Sequence, residues 1–513
     1  MDLKAVLEES AKHFGDKSAI IMGDQRVSFQ QLNQDANRVA HALIKLGLKK
    51  GDRVATMQGS NPEFAAIFFG ILKAGCIAVP LDSRYVPDEL VNLFNDCTPR
   101  VLAMENPQFE AIVPYLDRFP SIEHVITFDP DLSGNFITYR SILADNPSGN
   151  PDTIIDPLDV CIISYTGGPT VNPHGVCLSH GPVCEEARCS AETIGQNSED
   201  VFIQFALPTY HQFGLTAVLL ASIATGNTLV SVPGTGRSID SFMKAVEEHK
   251  GTIYMGVPYI YSLMVNVARR EGIKYDLSSL RFIASAGAPL EPAVIRLFQR
   301  YFKRTILDMY GQTESICQAT IMPLDASGPI GSSGKPMSCW ELKIFDQDDN
   351  EVPAGAFGEI VLRGPVMTGF WHKPEATARI LRSGWLHTGD MGYVDEDGFL
   401  FITARKRRLV ILKGQNIIPH DIEAVLESHP SVAEARVFGV LDLIRGETLK
   451  ALVRLAPGET ATDHDLRSYC QGKMADYKLP REIVIVDEMP SEIPNWKRPR
   501  DKETADATPE GKG

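Results

Sequence analysis

From Phe29 to Ile163 the chain keeps exchanging one hydrophobic period for another, a helical spacing for short unbroken apolar runs. Phe29 to Leu46 carries apolar residues at helical spacing (Leu32, Ala36, Val39, Ala40, Leu43, Leu46), and Gly47 is a natural stop just beyond it. Gly51-Asp52-Arg53 turns into the strand-like run Val54–Met57, Pro62 to Ala74 is a second apolar helix ended by Gly75, and Cys76–Pro80 is again strand-like. Pro87 to Phe94 starts another helix, and strand signals recur at Val101–Ala103, His124–Thr127 and Asp159–Ile163. A parallel strand must be joined to the next by a crossover, usually a helix, so this alternation predicts parallel α/β layers.

The pattern continues through Thr228–Val232, Thr252–Val257 and Phe282–Ser285, and then the texture changes. Leu342–Phe345, Gly358–Arg363 and Phe399–Ile402 are short strands separated by Asp/Gly turns, which predicts a β-rich region. A helix beginning at Ile422–Leu426, followed by strands at Ala435–Val440 and Leu449–Val453, predicts a compact α+β module of about 110 residues, within the usual domain range. At 513 residues the chain exceeds what one hydrophobic core supports, so two or more domains are expected. The last stretch, 501–513, is small and polar and predicts a disordered tail.

A net charge of −15 argues against nucleic acid or an anionic membrane surface as partner. It leaves room for a polyanionic small ligand, because local lysines and backbone N–H groups can hold phosphates inside an acidic protein. The nine cysteines (Cys76, Cys97, Cys161, Cys177, Cys184, Cys189, Cys317, Cys339, Cys470) form no CxxC pair, and their odd count predicts reduced thiols in a cytoplasmic protein, most of them small core residues. No basic region followed by an apolar run opens the chain, and no apolar stretch approaches the roughly 20 residues of a spanning helix, so no signal peptide and no integral membrane segment are expected.

Two stretches carry chemistry. The apolar run Thr305-Ile306-Leu307 leads as a buried strand end into Asp308-Met309-Tyr310-Gly311-Gln312-Thr313-Glu314. There a strand stops at a glycine and offers a hydroxyl suited to a phosphate oxygen and a carboxylate suited to a hard cation such as Mg²⁺. An ordinary strand-to-loop turn would read the same way. The second stretch, Ser164 to Val176, follows an apolar strand and is rich in glycine and hydroxyls, the composition of loops that aim backbone N–H groups at phosphates. It is not a Walker A loop, since GxxxxGK[ST] is absent.

Taken in order, Tyr310-Gly311-Gln312-Thr313-Glu314, Gly384-Trp385-Leu386-His387-Thr388-Gly389-Asp390, Arg405 with Lys413-Gly414, and Pro419 to Glu423 resemble the adenylate-forming superfamily of acyl-CoA synthetases, luciferases and peptide-synthetase adenylation domains. Leu207-Pro208-Thr209-Tyr210-His211 and Gly287-Ala288-Pro289-Leu290 agree in place, and the resemblance extends from about the first helix to Arg500. It implies an α/β fold: a large N-terminal domain of layered α/β subdomains plus a β-rich subdomain (1–404), a hinge (405–407), a small mobile α+β C-terminal lid domain (408–500) and the tail. It implies ATP, Mg²⁺ and coenzyme A acting on a small carboxylic acid, which becomes an acyl-adenylate and then a thioester. A homodimer is left open.

By the same resemblance Glu314 is the Mg²⁺ ligand and Thr313 a phosphate contact, with Thr166, Gly167, Gly168, Thr170 and His174 in the phosphate loop. Asp390 accepts both ribose hydroxyls and Arg405 supports that ribose. Asp308 and Tyr310 stand around the adenine, with Gly287 and Ala288 lining its other side, and Met309 and Gly311 complete the nucleotide-binding set. His211 borders and gates the acyl pocket. Lys497 is the catalytic lysine, Arg407 the hinge, and Gly414, Gln415 and Asn416 the loop that faces the site after rotation for CoA.

Two departures matter. The family's phosphate loop reads Thr-Ser-Gly-Thr-Thr-Gly-x-Pro-Lys-Gly, whereas here Gly167, Pro169, Val171 and His174 replace a serine, a threonine, a glycine and the lysine. Pro169 removes a backbone donor, Val171 resists positive φ, and a neutral His174 removes a fixed charge, so pyrophosphate is held weakly or by another geometry. Near the end, Pro490 to Lys497 has Trp496 in place of a glycine and one extra residue, leaving Arg498 and Lys502 as competitors of Lys497. Three readings follow: an acid:CoA ligase, a nucleotide binder with impaired adenylation, or an adenylating enzyme with another acceptor. A peptide-synthetase domain is disfavoured, because Phe205-Ala206-Leu207-Pro208 offers no acidic residue for an amino group.

Overall fold

The computed structural model describes residues 1–128, 136–165, 173–234, 238–405, 410–412, 415–417, 419–442, 446–487 and 489. Two large sheets form the body. The first has eight strands in the order 369–370, 175–179, 160–165, 77–80, 53–57, 101–104, 124–127, 137–138. Its centre is parallel, as the alternation requires, but Gly175–Ser179 returns antiparallel to Val160–Tyr165. The second has nine strands in the order 335–336, 320–321, 307–310, 282–285, 253–256, 201–204, 228–231, 18–22, 25–28. It is parallel from Ser18–Met22 to Leu307–Tyr310 and antiparallel at both ends.

Side-chain alternation along one strand shows how the layers stack. Val54 points into a core that also holds Ile20, Phe202, Leu229 and Ile253 of the second sheet, whereas its neighbour Ala55 points into a separate core with Leu90, Leu93 and Phe94. Helices therefore pack between the sheets and also cover the far face of the first. Ser28 caps the helix Phe29–Lys45 by accepting from the Gln31 N–H, and Asn61 caps Pro62–Lys73 in the same way, with Pro62 in the first turn.

A third sheet, 341–345, 358–363, 385–394, 381–382, with 400–405 paired to 385–394, is the expected β-rich region. The fourth sheet, 415–417, 410–412, 446–455, 432–442, with 482–485 paired to 446–455, builds its own core from Val437, Ala451, Val453, Ile422, Leu426 and Leu466. One expectation fails: Cys189 and Cys339 form a disulfide, with Cα atoms 6.2 Å apart and 150 residues between them, while the other seven cysteines are free. The pairing joins a helix to a loop between sheets, which no local spacing could announce. Among the described residues no helix is long and apolar enough to cross a membrane.

Candidate active site

The strand Leu307–Tyr310 ends at Gly311, and the chain then makes a tight turn before returning antiparallel, with Met309 opposite Ile321 and Tyr310 opposite Thr320. Gly311 is required for that return, because a Cβ there would lie 2.0 Å from the Cys317 carbonyl oxygen. Thr313–Ser315 forms one 3₁₀ turn, closed by the Gln312 N–H donating to Ser315 Oγ at 3.0 Å. The Ser315 hydroxyl in turn donates to the Gln312 carbonyl. Ile316 follows at φ +63°, and the Cys317 N–H donates to the Ser315 carbonyl at 2.6 Å, a γ-turn centred on a buried β-branched residue. Such a conformation is strained and persists only where its surroundings over-determine it. The Met367 N–H donating to the Glu314 carbonyl helps to do so. Thr313 is buried and Glu314 half-buried.

The third sheet brings a second acid to this turn. Asp390, in the strand Trp385–Val394, is 2% exposed, and Tyr310 Oη donates to its Oδ2 at 2.8 Å across 80 residues of sequence. The Asp390 N–H donates to Thr388 Oγ1, the Thr388 hydroxyl to the Ile360 carbonyl, and the Gly389 N–H to Glu359 Oε1, so the acid sits on a fixed backbone. Arg405 is the register partner of Asp390 on the adjacent strand.

Asp308 lies on the Leu307–Tyr310 strand, with Ser285 as its register partner, so Gly287 (φ +80°) and Ala288 emerge beside it. The Ser333 hydroxyl donates to Asp308 Oδ2 at 3.2 Å, while Oδ1 is buried without a partner. Burial pushes this carboxyl up to about 8. An unsatisfied buried polar atom in such a place is suited to a ligand's donor or acceptor.

His211 closes the turn after Leu207-Pro208 and leads into the π-helix Phe213–Leu220, a form common at functional sites. Its Nδ1 accepts from the Phe213 N–H at 3.3 Å, and burial lowers its pKa, which keeps the ring neutral. His174 is half-buried, its ring edge-on to Phe370 with centroids 5.1 Å apart, and the Lys373 ammonium donates to the neighbouring Pro173 carbonyl.

Thr166, Gly167, Gly168, Thr170, Arg407, Gly414 and Lys497 lie outside the described residues, as does the tail 501–513. Gln415 and Asn416, expected in a loop, belong to the strand Gln415–Ile417, because they pair with Leu412 and Ile411.

The sequence also concealed a support. Glu186, fully buried in the helix His180–Thr193, accepts from the Gln318 N–H (3.0 Å) and from Trp340 Nε1 (2.9 Å), directly behind the turn that Gly311 opens. Burial raises its pKa to about 8, which favours the protonated carboxyl. In the sequence it reads as one more polar helix residue after Glu185.

The chain matches the model of the AMP-binding enzyme over residues 7–371 and that of the AMP-binding enzyme C-terminal domain over residues 421–504. It belongs to the AMP-binding enzyme family. A long-chain-fatty-acid–CoA ligase of Bacillus subtilis is 32% identical over 519 residues, which cover 95% of this chain and 91% of the relative. Among solved structures, a double mutant of o-succinylbenzoate CoA synthetase from Bacillus subtilis, bound with its product analogue OSB-NCoA, is 26% identical, with a TM-score of 0.84 over 94% of this chain and 95% of that one. ATP-bound MatB from Rhodopseudomonas palustris is 27% identical, with a TM-score of 0.71 over 96% of each chain. This AMP-binding enzyme is an ATP-dependent acid:CoA ligase, activating a carboxylic acid as its acyl-adenylate and passing the acyl group to the CoA thiol.

Proposed function

We propose that the turn at Tyr310–Glu314 and the Asp390 strand together form the adenylating centre, and that its acid substrate has an apolar body. The supporting observation is the Tyr310–Asp390 hydrogen bond, which fixes the ribose-binding acid one residue from the turn that carries Thr313 and Glu314. A carboxylate is a poor electrophile, and its attack on an α-phosphate brings two anions together, so the site must neutralise charge and hold the reactants in line. Thr313 contacts phosphate, and Asp390 with Arg405 holds the ribose. Tyr310, Met309 and Gly311 line the adenine with Gly287 and Ala288, and the orphan Oδ1 of Asp308 meets a polar edge of the base.

Glu314 suits Mg²⁺, which characteristically takes one or two carboxylates and completes its shell with phosphate and water. The ion would supply charge neutralisation at the phosphates. His211, half-buried and with its pKa lowered by burial, stands before the largely apolar π-helix and borders the acyl pocket. Lys497 serves adenylation from the C-terminal domain (408–500), which rotates about Arg407 so that Gly414, Gln415 and Asn416 replace it for CoA.

The present pose is read as the one for transfer to CoA. What supports this is the better superposition on the OSB-NCoA complex (TM-score 0.84) than on MatB, which scores 0.71 both with ATP and without ligand, at nearly equal identity and coverage. The test is pyrophosphate release across a panel of aliphatic and aryl carboxylic acids, with and without CoA. Acid-dependent release without CoA, followed by thioester formation on adding it, is the expected result. No release with any acid would overturn the reading in favour of a nucleotide binder.

A further inference from the structure

The two domains meet through charges that are buried where they touch. Lys478, in the 3₁₀ turn Asp476–Lys478 of the C-terminal domain, donates to Glu89 Oε1 of the helix Pro87–Cys97 at 2.7 Å, across 389 residues of sequence. Both residues are 5% exposed. The Lys478 ammonium also lies 4.9 Å from the centre of the Tyr85 ring. One residue earlier, the Tyr477 ring lies 4.2 Å from the Arg84 guanidinium. Arg84 is itself clamped: Nε and Nη2 donate to the two Asp82 carboxylate oxygens, and Nη2 also donates to Tyr210 Oη at 2.9 Å.

A buried ion pair inside one domain would be a permanent fixture. Across a domain boundary it is a detachable one, since water can solvate both charges when the domains part. Cation–π contacts behave alike, being strong when desolvated and weak when wet. We propose that the segment Asp82–Glu89, a loop and the first turn of the helix Pro87–Cys97, is the seat of the C-terminal domain in the pose seen here, with Lys478 and Tyr477 as its plug. Arg84 is a positioning residue that ties the seated domain to Tyr210 and so to the acyl-pocket turn carrying His211. The pose-specific part rests on the reading of this pose as the one for CoA transfer.

The test measures the two half-reactions separately: pyrophosphate release from ATP and acid, and thioester formation from a preformed acyl-adenylate. Glu89→Gln keeps the shape that also accepts the Val86 N–H, and Lys478→Met keeps the stem. Each should slow transfer about tenfold or more, the double variant no further than either single one, with adenylation unchanged. Tyr477→Ala should act in the same direction and Tyr477→Phe should restore most of the loss, because the ring rather than the hydroxyl faces Arg84. Arg84→Gln should raise the KM for the acid with little change in kcat. Slowed adenylation with intact transfer would keep the seat and overturn the pose. Additive effects of the Glu89 and Lys478 variants, equal slowing of both half-reactions, or no effect on either would overturn the seat.

Discussion

The turn at Gly311–Ser315 and the Asp82–Glu89 segment are built on opposite principles. The turn is held from every side within the N-terminal domain: by a γ-turn, by the hydroxyl–backbone closure at Ser315, by the Met367 N–H and by Glu186 behind it. Thr313 and Ser315 are buried and Glu314 half-buried on a backbone that hydrogen bonds hold in place, the preorganisation that electrostatic catalysis requires. The seat makes its cross-domain contacts through long, charged or aromatic side chains that water can receive equally well. The contrast teaches that, on the proposed assignment, charge stabilisation falls to a rigid turn and reversibility to a boundary of cations and rings.

The sharpest way to break the rigid side is Glu314→Gln, which removes a formal charge and keeps shape. Adenylation should fall about 10²–10³-fold while the unfolding midpoint stays unchanged. Single-turnover pyrophosphate release would show it, and an unchanged rate would remove Glu314 from the chemistry. Next in size is Asp390→Ala. Hydrogen bonds to a charged acceptor are worth about 1.5–3 kcal/mol each, so ATP and AMP should both bind at least roughly tenfold more weakly by calorimetry.

Glu186 sharpens the comparison through pH. Its folded pKa is raised to about 8, so the folded chain keeps a proton there that the unfolded chain releases near the ordinary glutamate value. The stability this gives is fully present below the unfolded pKa and is lost as pH rises toward 8. Relative to Glu186→Gln, the native chain should therefore lose on the order of 4 kcal/mol between pH 4.5 and 8, read from denaturant midpoints. Parallel pH profiles would mean that Glu186 is not held neutral.

The α/β body was legible because hydrophobic period is a local signal: the helices Phe29–Lys45 and Pro62–Lys73 and the strands between them fall where the spacing put them. The antiparallel return of Gly175–Ser179 was not, since strand direction depends on partners and the local pattern is the same either way. The π-helix Phe213–Leu220 is buried at every position and apolar except for Thr216, so it carries no period to read. In the candidate site, Tyr310 and Asp390 stand out by motif, but nothing in the sequence announces the hydrogen bond between them. Glu186 and Lys478 carry no local signal because Gln318 and Glu89 lie 132 and 389 residues away, and although Arg84 meets Asp82 two residues off, its contact with Tyr210 spans 126 residues.

The smallest effect concerns the altered phosphate loop. Its missing lysine suggests that His174→Lys should improve the enzyme, but the structure gives the position other work. The strand after His174 pairs with Gly369–Phe370, Val176 opposite Phe370, which brings Lys373 to the Pro173 carbonyl and the Phe370 ring against the imidazole. A cation from another segment therefore already stands at the end of the loop. A lysine at 174 would give up an edge-on aromatic contact worth about 0.5–1.5 kcal/mol and add a second ammonium beside the first. His174→Lys should change kcat/KM for ATP by less than about threefold, whereas Lys373→Met should lower it by about two- to fivefold, the range of a partly solvated charge. Pyrophosphate exchange at pH 7 decides between them. A tenfold gain from His174→Lys with Lys373→Met silent would show that the loop lacks a charge Lys373 does not supply.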